Sequence, residues 1–190
     1  MKRYGVLAAL ILVGCAHVHP TGFLSDYTQL QKGQYLEKVF IAPGLKQDRM
    51  MLEIKPPTAE GGVFNDALPP KTAQVILEQS LRDKLAGVPH VKVATPNDQP
   101  THALLTAITK LDPGSRAERW FIGSGAGKSV VQIEGKLVDG NGNILLAFAD
   151  RRAGAAMGDI TGGDSRAMML QDLEAIVDAV RDTLTDVMMS

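Results

Sequence analysis

Apolar positions recur along this chain with two different periods, and the changes of period mark its elements. Residues 35–42 set Leu36, Val39 and Ile41 among polar neighbours and stop at Pro43-Gly44, which predicts a strand. A second short strand is predicted at 50–55, closed by Pro56-Pro57. Residues 58–70, with glycine, proline and Asn65-Asp66, read as a loop. From 71 to 86 the period becomes 3.6, and Ala73, Ile76, Leu77, Leu81 and Leu85 share one helix face. Pro69-Pro70 stands just before that start, and Gly87 holds the place of a left-handed cap. Strands follow at 91–94 and 102–111. Residues 129–139 alternate imperfectly through Val131, Ile133 and Leu137, with Gly135 as a candidate bulge. Asp139-Gly140-Asn141-Gly142 then signals a tight turn into a returning strand at 144–152. The last element, 164–189, is a helix with Leu170, Leu173, Ile176, Val177, Val180, Leu184 and Val187 on one face, capped by Asp164 or Ser165.

Two amphipathic helices among these strands can cover one face of a common sheet. The expected class is α+β: a two-layer sandwich, mainly antiparallel, with four to six strands covered by two helices. One helix per two or three strands argues against a doubly wound nucleotide fold, in which helices and strands alternate.

The N-terminus follows neither period. Lys2 and Arg3 precede an uncharged apolar run at 5–13, which is far below the roughly 20 residues of a spanning helix and fits a secretory h-region. The run ends in Leu12-Val13-Gly14-Cys15, which resembles the bacterial lipobox. That resemblance implies a signal peptide at 1–14, with Leu12, Val13 and Gly14 read by the lipoprotein signal peptidase. It also implies diacylglycerol on the Cys15 sulfur and an N-acyl chain on its amine. Ala16, where an Asp would signal inner-membrane retention, points to the periplasmic face of the outer membrane. The remainder divides into a lipidated tether at 15–34 and a single periplasmic domain at 35–190.

About 175 residues beyond the cut make one domain with room for a substantial core. Cys15 is the only cysteine, so the mature domain has no internal disulfide, thiol nucleophile or thiolate zinc site. The chain is 45% apolar and 22% charged, and loss of Lys2 and Arg3 moves its formal charge from −1 to −3. Without a basic block, neither nucleic acid nor an anionic lipid surface attracts it by charge alone.

Candidate chemistry is sparse. Gly123-Ser124-Gly125-Ala126-Gly127-Lys128-Ser129 resembles a phosphate loop, but three residues rather than four separate Gly123 from Gly127, and a strand rather than a helix is predicted after it. No nucleotide is expected there. Residues 112–128 are long for a hairpin connection and carry Arg116, Arg119, Trp120 and Phe121. Arg119, Trp120 and Phe121 are the candidate partner contact, against the alternative that the aromatic rings fold back onto the core. His17 and His19 lack a third ligand nearby, and no metal or other cofactor is expected beyond the covalent lipid. His90 and His102 read as structural. Asp112, Asp139 and Asp150 fall at predicted strand ends with turn and cap duties, and Asp150-Arg151-Arg152 reads as a small exposed ion-pair cluster. The pairs Met50-Met51, Met168-Met169 and Met188-Met189 read as core filling. No serine has the histidine and acid of a catalytic set, so no enzyme is expected.

Thr21-Gly22-Phe23-Leu24-Ser25-Asp26-Tyr27-Thr28-Gln29-Leu30 resembles the mature start of an uncharacterised family of bacterial lipoproteins, and Ala149-Asp150-Arg151-Arg152-Ala153-Gly154 is similar to its late Asp-Arg-Arg element. Residues 111–128 are similar to a neighbouring family of unknown function. The resemblance implies that Phe23, Leu24, Tyr27 and Leu30 form a short helix packed on the domain, leaving only 16–20 as free tether. It carries no catalytic residue with it. The expected role is a non-catalytic accessory or assembly factor with an envelope protein as partner, the alternative being a carrier of a small apolar ligand or lipid.

Overall fold

The computed structural model describes residues 17–47, 49–60, 66–114, 128–154 and 164–190. Seven strands form one open sheet: β1 (Lys38–Ile41), β2 (Met50–Ile54), β3 (Thr58–Ala59), β4 (Val91–Val93), β5 (His102–Asp112), β6 (Val130–Asp139) and β7 (Ile144–Ala153). Their order is β1-β7-β6-β5-β2-β4, with β3 also pairing β5. The long ladders β5–β6, β6–β7 and β1–β7 are antiparallel, whereas β2–β5, β2–β4 and β3–β5 are short and parallel. The helices α1 (Pro70–Leu85) and α2 (Ser165–Met189) cover one face. This is the expected α+β sandwich. Its strand count is seven rather than four to six, because Thr58–Ala59, expected as loop, pairs with Ala107 and Ile108 of β5.

The alternation of the long strands separates two layers of packing. Leu104, Ile108, Val131, Ile133, Leu137, Leu146 and Phe148 face the helices and join Leu77, Leu81, Leu173, Ile176, Val177 and Val180 in the main core. Lys84 ties the helices together through Glu174 at 3.0 Å and Asp178 at 2.7 Å. Pro70 sits in the first turn of α1, where its missing N–H costs nothing. Asp164 caps α2 by accepting from the Arg166 N–H at 2.9 Å. Each methionine pair buries one member, Met50, Met169 and Met188, and Met189 is exposed. No described helix is long and apolar enough to cross a membrane.

Two glycine expectations change. Gly87 is not a left-handed cap: α1 ends on Ala86 in right-handed geometry, and the positive φ of this turn falls on His90 at 62°. Gly135 is not a bulge either. The register shifts lie between Ile108 and Lys110 and between Leu137 and Val138. Gly135 stands opposite Phe148, whose fully buried ring fills the space that a Cβ would need.

Candidate functional site

The sheet face away from the helices presents Gln132, Glu134 and Lys136 of β6, beside Ala147 and Ala149 of β7. Polar residues there would ordinarily meet water, yet Gln132 and Glu134 are 1% and 0% exposed. Residues 17–30 cover them. Leu24 and Leu30 are buried against Ala147 and Ala149, with Phe23, Tyr27 and Phe40 packed around them. The expected packing of Phe23, Leu24, Tyr27 and Leu30 on the domain is present, but as bends and one turn rather than a helix. The reason is hydrogen bonding: the Tyr27 hydroxyl accepts from the backbone N–H groups of Thr21, Gly22 and Leu24 at 3.1–3.3 Å. Gly22, at φ 98°, lets the chain turn around that oxygen.

The segment lies on β6 as a strap, two residues for two. Gln132 Nε2 donates to the His19 carbonyl at 2.7 Å, and Gln132 Oε1 accepts from the His19 N–H at 3.1 Å. Thr21 Oγ1 donates to Glu134 Oε1 at 2.8 Å. Lys136 Nζ stands 5.4 Å from the centre of the Phe23 ring, within cation–π range. Glu134 Oε1 also accepts from Gln132 Nε2 at 2.9 Å and Thr109 Oγ1 at 3.2 Å, while Tyr27 donates a very short bond to Oε2. A carboxylate that gathers that many donors ties strap to sheet.

At the entry of the strap lies a shallow cleft of about 360 Å³, lined by His17, Lys32, Tyr35, Glu37, Asp150 and Arg152 among others. The Val18 N–H donates to Glu37 Oε1 at 2.9 Å. Asp150 is neither at a strand end nor exposed. It lies inside β7, 1% exposed, and holds Arg152 through Nε and Nη2 at 3.1 and 2.7 Å. Arg152 in turn donates to the Tyr35 carbonyl at 3.0 Å. Burial pushes the Asp150 carboxyl up, and the Arg152 guanidinium offsets part of that rise. The expected exposed ion-pair cluster is instead a clasp on residues 35–37, with the Asp150 carboxylate buried and the Arg152 guanidinium half-exposed.

A third polar group sits where β6 and β7 meet α2. Ser129 is fully buried, and Gly154 passes so close that a Cβ there would collide with its Oγ and come within 3.2 Å of Asp172 Oδ2. Burial pushes the Asp172 carboxyl up to about 6, offset in part by Arg152 and Ser129. Residues 128–129 lead directly into β6, as the sequence predicted for the false phosphate loop. His102, paired in register with Asp139, stands at the other end of the sheet, its Nδ1 2.8 Å from Thr101 Oγ1. Asp112 and Asp139 serve turns: Asp112 accepts from the Gly114 N–H at 2.9 Å, and Asp139 from the N–H groups of Asn141 and Asn143 at 2.8 Å.

Leu12, Val13, Gly14 and Cys15 lie outside the described residues, as do Arg119, Trp120 and Phe121. What sequence reasoning missed is the pair Gln132 and Glu134, which reads as an ordinary wet face until the strap is placed. The usable signal was Thr21 and Tyr27 in a segment with apolar Phe23, Leu24 and Leu30.

The segment that supplies Gln132, Glu134, Asp150 and Arg152 also matches a known family. Residues 68–158 match the family model of a domain of unknown function, DUF4410. The DUF4410 match thus runs from the start of α1 through the end of β7, while the strap and α2 lie outside it. Among solved structures, a PelC dodecamer variant from Paraburkholderia phytofirmans is similar at 18% identity and TM-score 0.44, covering 75% of this chain and 94% of its own. A Xanthomonas campestris protein of the DUF330 family is similar at 12% identity and TM-score 0.49, with 77% and 90% covered. No curated protein matches the chain.

Proposed function

We propose that this chain is an outer-membrane lipoprotein, anchored through acylated Cys15 on the periplasmic face, whose DUF4410-containing domain works as a non-catalytic accessory or assembly factor through protein contacts. The observation that carries the reading is the lipobox-like Leu12-Val13-Gly14-Cys15, followed two residues later by a segment bonded to the domain. Gln132, Glu134, Asp150 and Arg152 are engaged in holding chain to chain, which suits a positional role better than a chemical one. The alternative of an apolar-ligand carrier wants a cavity lined by leucine, isoleucine and methionine. Two clefts among the described residues, one at the strap entry and one between Glu53, Arg82 and Asp98, are lined largely by polar residues.

The deciding experiment is the intact mass of protein extracted from membranes, beside a Cys15→Ala variant, with fractionation of both. A chain beginning at Cys15 and carrying two or three acyl groups, found in the outer membrane, supports the proposal. An unmodified chain in the soluble periplasm overturns it. Pull-down of a defined envelope partner that Trp120→Ala loses assigns the contact to Arg119, Trp120 and Phe121; an unchanged partner set rejects that assignment.

A further inference from the structure

We infer that the strap docks the domain on the bilayer in one fixed orientation, with the sheet end formed by Asp112, Val130 and Ala153 facing the phospholipid headgroups and the turn at 139–143 pointing away. The inference rests on the lipid anchor proposed above. His19 lies on Gln132, Thr21 on Glu134 and Phe23 beneath Lys136, so the strap runs along β6 from its Val130 end towards its Asp139 end. His17, the first described residue of the strap, therefore stands at the Val130 end. Asp112, Val130 and Ala153 share one register row at that end. Cys15 precedes His17 by two residues, a reach of about 7 Å at most. A tether of that length, continued by a segment held through Glu37, Gln132 and Glu134, leaves the domain little freedom to swing.

The partner that this geometry fits is the headgroup layer itself. Lys32, Arg151 and Arg152 line the entry cleft beside His17, with Lys128 exposed nearby at the start of β6. The carboxylates of the cleft are Glu37, which holds Val18, and Asp150, which is buried on Arg152, while Asp112 in the facing row is paired with Lys110 at 3.1 Å. Cations at headgroup depth gain from the negative surface of a membrane containing anionic lipid, within about a Debye length. Residues at the far end cannot share that contact. The nine steps of β6 from Val130 to Asp139 span about 30 Å.

The test uses the acylated full-length protein in phosphatidylethanolamine–phosphatidylglycerol vesicles carrying a headgroup-attached quencher. With Cys15 blocked by its lipid, Lys128→Cys and Asn141→Cys each accept one fluorophore. Quenching several-fold greater at position 128 than at 141 is the expected result; equal quenching at both overturns the fixed orientation. The paired change Thr21→Val with Tyr27→Phe should reduce the difference. So should an insertion of about ten Gly/Ser residues after Ala16, which adds about 16–19 Å of reach without touching the fold. If the difference survives both, the strap is not what orients the domain. Intact mass separates the two failures. Acylated protein without a difference overturns the orientation alone, and unacylated protein overturns the anchor and the docking together.

Discussion

The side-chain amide of Gln132 pairs with both backbone polar groups of His19, donating to its carbonyl at 2.7 Å and accepting from its N–H at 3.1 Å. In doing so it acts as one rung of a strand, and an irregular segment gains a ladder contact without joining the sheet. The same amide donates to Glu134, whose carboxylate gathers Thr21, Tyr27 and Thr109. Satisfied networks of this kind are sensitive to loss of any member, because the remaining donors stay buried.

Glu134→Ala should therefore destabilise the domain by about 2–4 kcal/mol, the cost of leaving several buried donors unpaired. Urea denaturation measures this. Limited proteolysis adds a local readout, since cleavage within 17–30 should accelerate more than cleavage elsewhere. A loss below about 0.5 kcal/mol would mean that the strap is not held by this carboxylate.

Gly135→Ala should cost about 1–3 kcal/mol by forcing the Phe148 ring from its place. Because the collision is with one ring, Phe148→Leu in the same chain should recover part of the loss. The double-mutant cycle should show a coupling of about 0.5–2 kcal/mol. Additive effects would locate the strain elsewhere in β6.

These cases divide what the sequence discloses from what it does not. The helices, the 139–143 turn and the places of six strands along the chain follow from periodicity and turn residues, which act locally, whereas the sheet order, with β2 parallel between β5 and β4, does not. Thr58–Ala59 escaped because two residues carry no period, and its pairing with β5 is decided by partners about fifty positions away. Asp150 read as exposed because two arginines follow it, yet β7 points Arg152 back across the carboxylate and both meet residues 35–37. Gln132 and Glu134 carried an honest alternation signal, polar on the face away from the helices. Only the return of 17–30 across that face converts a wet surface into a buried network.

Arg152→Ala should destabilise by about 3 kcal/mol, the lower end of the range for breaking a buried pair, since the arginine side chain is itself 36% exposed. Asp150 is left buried without its cation, so its carboxyl rises further. The penalty applies to the charged form and should shrink as pH falls towards 4. Thermal denaturation of the variant and the parent at pH 7 and pH 4 measures both effects. A loss that is the same at both pH values would assign the role of Arg152 to its bond with the Tyr35 carbonyl instead.

Asp172 makes the opposite prediction, a gain on substitution. Its carboxyl is pushed up to about 6 from an ordinary value of 3.8, with burial as the leading cause. Below pH 4 the group is protonated in folded and unfolded chains alike and costs nothing. Between pH 4 and 6 the unfolded chain ionises first, so stability falls as pH rises; above pH 6 the penalty is constant. Asp172→Asn keeps the shape, removes the charge and should raise the melting temperature at pH 7.5. The gain should shrink through the window from 6 to 4 and vanish near pH 4. A gain that persists at pH 4 would point to packing against Ser129 and Gly154 rather than ionisation. A loss at pH 7.5 would mean that the charged carboxylate is held by Arg152 more strongly than burial opposes it.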